Sequence, residues 1–93
     1  METISKKELI KAIAEKTEVS QKDAGNVINA TLDMIQAEVA AGNKVAFLKF
    51  GTFEPRERGE RKGHNPQTGE TIIIPARKVP VFKAGKGFKD MLN

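Results

Sequence analysis

Arg56, Arg58, Arg61 and Lys62 crowd one short stretch, with His64, Asn65 and Pro66 directly after them. Arg77 and Lys78 follow eleven residues after Pro66, then Lys83, Lys86 and Lys89. Guanidinium and ammonium groups break no bonds by themselves. They hold oxyanions, Arg through a planar fork that suits phosphate and carboxylate. At this density the residues suit a polyanion such as nucleic acid. A long solvated loop is the alternative, and the cations alone leave both readings open.

Little else in the chain could do chemistry. Ser5 and Ser20, the only serines, stand where helices begin, and a capping role accounts for both. His64 is the only histidine and has no apparent partners for a catalytic triad. One His and no Cys cannot supply a usual zinc site, and no disulfide is possible. Gly85-Lys86-Gly87 has a Lys between glycines but lacks the spacing and the Ser/Thr of a phosphate loop. The reading is a non-enzyme with no metal, no cofactor and no small-molecule substrate.

The elements that must position the cations are legible on either side of them. Asn65-Pro66-Gln67-Thr68-Gly69 is a turn, with Pro66 fixing one backbone angle and Gly69 free to adopt a positive φ. The flanking limbs read as strands, the second ending in Ile72-Ile73-Ile74-Pro75. About ten residues per limb at about 3.3 Å each reach about 30 Å. Few apolar residues lie between Pro55 and Thr71, so this part of the hairpin has little to bury. The pattern predicts a basic ribbon projecting from the body, marginally stable until an acidic partner holds it.

Ninety-three residues make one domain. Charge divides it: residues 1–43 carry a net −2 and residues 44–93 a net +6. The basic half suggests a surface turned toward a polyanion. It lacks a long amphipathic helix for lying on a membrane, and there is no apolar run to span one. The charged first eleven residues have no signal-peptide core, and a cytosolic protein is the simplest reading.

The first half reads as two helices. Ser5-Lys6-Lys7-Glu8 is a capping box opening a helix over 6–16. Ser20 to Asp23 opens a second helix over 21–41, about 30 Å long, ended by Gly42. It carries a wide apolar stripe: Ala24, Val27, Ile28, Thr31, Leu32, Ile35 and Val39. Its only basic residue is Lys22, so it is a poor groove-reading helix. A short strand over 44–48 precedes the ribbon, and Gly85 to Leu92 forms a last short helix with Phe88 inward. Phe47, Phe50, Phe53 and Phe82 look like core anchors, base-stacking platforms for single strands being the other possibility. A core this small seldom suffices alone. The broad stripe with Leu32, Ile35 and Val39, together with the Phe cluster, therefore predicts a homodimer with a shared core.

Gly51-Thr52-Phe53, then Arg58, Arg61, Gly63 and Asn65-Pro66-Gln67-Thr68-Gly69, then Val79-Pro80-Val81-Phe82 with Gly85-Lys86, together resemble the HU family of bacterial histone-like proteins. Integration host factor belongs to the same family. The resemblance covers nearly the whole chain. It implies an α+β, HU-like intertwined dimer with an N-terminal helical hairpin (1–43), a three-stranded saddle with a long β-ribbon arm (44–82) and a short C-terminal helix (83–93). It implies double-stranded DNA as partner, bound through the minor groove with little sequence specificity, bent and compacted in the nucleoid. An integration-host-factor-like subunit bending one defined site is the runner-up, and pairing with a paralogue is an alternative to the homodimer. By motif, Pro66 is the wedge between base steps. Arg56, Arg58, Arg61, Lys62 and Asn65 line the arm, Arg77 and Lys78 stand where it rejoins the saddle, and Lys83, Lys86 and Lys89 are phosphate contacts. His64 departs from the family's usual Arg before Asn-Pro, which makes one groove contact per arm pH-dependent.

Overall fold

The computed structural model describes every residue, Met1–Asn93. The chain forms two compact units, Met1–Ala37 and Glu38–Asn93. Helix α1 spans Lys6–Thr17 and helix α2 spans Gln21–Ala40. Both begin on a serine: Ser5 Oγ accepts from the Glu8 N–H at 3.2 Å and Ser20 Oγ from the Asp23 N–H at 3.0 Å. These bonds satisfy backbone donors that a helix start leaves free. Glu18 ends α1 in the left-handed conformation, φ 59°, and Gly42 takes φ 94° after α2.

In the helical unit the only buried side chains are small, Ala14 on α1 and Ala24 on α2. Gly25 faces Ile10 of α1, where a Cβ would make ordinary van der Waals contact at 3.7 Å, so the position has room for a methyl group. Along α2 the apolar stripe is only part-covered: Val27 is 66% exposed and Leu32 44%, with Ile28, Ile35 and Val39 half-buried, and Met34 beside it is 67% exposed.

The second unit is built on strands β1 (Val45–Phe47), β2 (Gly51–Arg58), β3 (Arg61–His64), β4 (Thr71–Ile74) and β5 (Arg77–Ala84), closed by helix α3 (Lys86–Asp90). All pairings are antiparallel. A three-stranded sheet has the order β1-β2-β5, and β3 pairs with β4 in a two-stranded ribbon. Gly59–Glu60 and Pro75–Ala76 interrupt the ladder between them by two residues on each limb. The register therefore does not slip from Arg58↔Arg77 to Arg61↔Ile74. Pro75 has no N–H to give a ladder, which accounts for a break at this point.

All five phenylalanines meet in this unit. Phe53 and Phe82 lie 4.7 Å apart, Phe50 stacks on Phe88 at 5.4 Å, and Phe47 meets Phe50 and Phe53 edge-on. Gly51 is what lets Phe82 in: a Cβ there would stand 2.5 Å from the ring and 2.6 Å from the Lys83 carbonyl. The tight β1–β2 turn places Lys49 at φ 68°, with its carbonyl accepting from the Phe88 N–H of α3 at 3.2 Å. Even so, Phe47, Phe50 and Phe82 remain 41%, 46% and 39% exposed, and no large side chain in the chain is fully buried.

Candidate nucleic-acid interface

Side chains alternate across a strand, so the register sorts the sheet into two faces. Phe53 lies opposite Phe82 and Val45, and Gly51 opposite Phe47; this is the aromatic face. The other face carries Thr52 with Lys83, Glu54 with Val81, Arg56 with Val79, and Arg58 with Arg77. Four of the expected cations, Arg56, Arg58, Arg77 and Lys83, thus share one side of one sheet. Arg56, Arg58 and Arg77 are exposed, and none of them is in an ion pair.

Arg58 stands directly across from Arg77. Like charges in facing positions oppose strand pairing. A pair placed this way, with no carboxylate attending it, lowers the stability of the free protein and suits a surface that an anion will cover. Lys78, by contrast, faces Glu57 on the opposite side of the sheet.

The ribbon continues the pattern. Lys62 pairs with Ile73 and His64 with Thr71 on one face, while Arg61 pairs with Ile74 and Gly63 with Ile72 on the other. Ile72 and Ile74 close over Gly63, where a Cβ would come within 3.2 Å of Ile74. Arg61 is therefore separated from Lys62 and His64, although the three are close in sequence.

At the tip, Asn65 rather than Pro66 organises the turn. Its side-chain oxygen accepts from the Gln67 N–H at 2.9 Å, its carbonyl from the Gly69 N–H at 2.7 Å, and its own N–H donates to the Glu70 carbonyl at 2.8 Å. Gly69 adopts φ 72° as the turn closes. Pro66 is exposed at the apex. Lys86 and Lys89 lie on α3, both exposed.

Two residues at this face escape a reading by motif. Lys44, just before β1, and Glu54, in the middle of β2, meet at 3.4 Å; Glu54 also takes the Lys83 ammonium at 3.0 Å. The Lys83 hydrogen bond, then the charges of Lys83 and Lys44, hold the Glu54 carboxyl below its usual range against burial, which pushes the other way. Strand parity places Glu54 with Arg56 and Arg58 from sequence alone. Lys44 joins only once the β1–β2 register is known.

The sequence profile described as bacterial DNA-binding protein matches residues 4–93. DNA-binding protein HU-1 of Halalkalibacterium halodurans is 54% identical over 90 residues, 97% of this chain and all of that one. DNA-binding protein HU of Staphylococcus aureus is 52% identical over the same span. Among solved structures, an HU–DNA cocrystal from Anabaena superposes with a TM-score of 0.87 at 46% identity, covering 95% of this chain and 96% of that one.

Proposed function

The chain belongs to the bacterial DNA-binding protein family, and we propose that it acts as an HU-like architectural protein: a homodimer that binds duplex DNA through the minor groove, bends it with little sequence specificity and compacts the nucleoid. The observation that carries this reading is the basic face of the sheet, with Arg58 set against Arg77 and neither in an ion pair. The Anabaena relative forms a cocrystal with DNA.

Kinking a duplex with an inserted apolar wedge is the behaviour attributed to HU and integration host factor as a class. This chain has a candidate for each part. Arg56, Arg58 and Arg77 hold backbone phosphates across the saddle. Lys62 and His64 continue that face along the arm, with Arg61 gripping from the other side. Lys78, Lys83, Lys86 and Lys89 add phosphate contacts outside the groove. Phosphate contacts are blind to sequence, and the minor groove offers a degenerate pattern, so preference arises from how easily the duplex deforms. The exposed Pro66 ring at the apex is the wedge, and Asn65 holds the turn that presents it.

The part-covered stripe of α2 and the part-exposed Phe cluster supply the dimer. In a single chain Leu32, Met34, Phe47, Phe50 and Phe82 stay exposed, and a second copy gives them a shared core. The same cluster speaks against single-strand binding, since the rings stack on one another rather than offering a free platform. No catalytic step is assigned, because Ser5 and Ser20 are occupied as helix caps and His64 stands alone on the ribbon.

Competition between a pre-kinked and a straight duplex of equal length and charge tests the reading. Preference for the kinked duplex, equal across unrelated sequences, supports it. Strong preference for one sequence indicates a site-specific bender, and preference for unpaired strands contradicts the proposal.

A further inference from the structure

With sixteen Lys and Arg and twelve Asp and Glu in the chain, only two ion pairs form, and both end on one carboxylate, Glu54. Glu54 is 9% exposed and is the only buried charged residue. It sits in the middle of the basic face, between Thr52 and Arg56 on β2 and opposite Val81. The lysines reach it from two sides, Lys44 from the start of β1 and Lys83 from β5, and their own side chains remain 72% and 59% exposed. An acid at the centre of a surface meant for phosphate opposes binding by its charge. It also occupies the two ammonium groups nearest to it.

We propose that Glu54 is a built-in counter-charge that limits the grip of this face on the DNA backbone, holding Lys44 and Lys83 as phosphate donors that a duplex engages only in competition with the carboxylate. The proposal rests on the DNA-binding reading above and deepens it. A lysine already paired to a carboxylate condenses fewer anions from solution, and its charge is partly neutralised before phosphate arrives. Its contribution to salt-dependent binding is therefore smaller than that of an unpaired cation such as Arg58. A modest grip suits a protein whose preference comes from DNA shape, because strong backbone attraction would hold straight and kinked duplexes alike.

The alternative is a purely structural clamp tying β1 to β5 across β2. Duplex affinity measured against salt separates the two. In E54Q the counter-charge is gone and both ammonium groups are free. Affinity for a straight duplex should rise about three- to tenfold near 0.1 M salt, and the log–log salt slope should steepen by up to about 0.9 for each lysine released. Preference for kinked over straight duplex should fall. K83M should lower affinity in both backgrounds, by a smaller factor in the wild type, where Glu54 already holds the ammonium, than in E54Q. A folded E54Q with unchanged affinity and slope, its melting temperature alone lowered, would leave Glu54 a clamp and overturn the proposal. Should E54Q fail to fold, K44M and K83M decide in the wild-type background. Each should flatten the slope by well under the change seen for R58A, and equal changes overturn the proposal. Wild-type protein that does not bind duplex DNA removes the DNA-binding reading itself, and the proposal with it; wild-type binding with an unaltered E54Q removes only the proposal.

Discussion

The two faces of the β1-β2-β5 sheet are made by the same strands, one residue out of step, and they obey opposite rules. On one face Phe47, Phe53 and Phe82 sit against one another, and Gly51 gives up its side chain so that Phe82 can approach. On the other face Arg58 and Arg77 stand in facing positions, and the single acid, Glu54, is held by two lysines rather than by the arginines. The aromatic face is arranged to lower the free energy of the folded protein. On the basic face the facing Arg58 and Arg77 oppose strand pairing, an arrangement that suits a surface an anion covers. A period of two lets one sheet do both, and it also means that a substitution on β2 has opposite consequences at neighbouring positions.

The largest effect should come from breaking the aromatic face. Phe82→Ala removes a ring in contact with Phe50, Phe53 and Phe88 and should cost about 3–5 kcal/mol by denaturant unfolding. Wild-type melting should depend on protein concentration, as expected of a shared core. A melting point independent of concentration, with a monomer mass in solution, would remove the dimer.

Pro66→Ala comes next. It keeps every cation, so the salt slope of binding should stay nearly constant while preference for a kinked duplex is lost. Asn65 makes the bonds that hold the tip, so the turn should survive, and amide spectra of the free arm would verify that. Asn65→Ala should disturb those spectra more than Pro66→Ala does.

Arg58→Ala sharpens the comparison because two readouts should move in opposite directions. Duplex affinity should fall on all sequences, with a slope shallower by up to about 0.9. Stability of the free protein should rise by about 0.2–1 kcal/mol as the repulsion with Arg77 is relieved. Loss of stability instead would mean that the basic face carries no stored repulsion.

The smallest effects come from His64 and Glu54. His64→Ala should lower duplex affinity slightly on all sequences, and unchanged affinity would leave His64 as a turn-flanking residue only. At low pH, Glu54 matters. Its carboxyl is held below the usual glutamate range by Lys83 and Lys44. Its contribution to stability is complete above that range and is lost as pH falls through its lower folded value. Unfolding free energies of wild type and E54Q should therefore converge in acid, and parallel curves would argue against the ion pairs.

Much of the fold is legible in the sequence because it is local. Ser5 and Ser20 mark both helix starts to the residue, and Gly42 marks the end of α2, since each cap needs only its own few neighbours. The turn at Asn65–Gly69 is equally local. What the sequence conceals depends on register. The separation of Arg61 from Lys62 and His64 follows from parity on β3, but which parity shares a face with Arg58 depends on Gly59–Glu60 and Pro75–Ala76 adding equal lengths to both limbs. The Lys44–Glu54–Lys83 trio joins three segments and depends on the β1–β2 turn, where Lys49 takes a positive φ that no turn motif announces. The stripe on α2 is plain in the sequence, whereas its exposure in a single chain is visible only in the structure.

The central claim is that two copies of this chain bend a duplex with the basic face and the arm tips. Energy transfer between dyes on the two ends of a short duplex, titrated with protein, tests it most directly. The ends should draw together, saturating at two chains per duplex, on unrelated sequences alike and with a smaller change for Pro66→Ala. Ends that stay at their free separation while the protein is bound would contradict it.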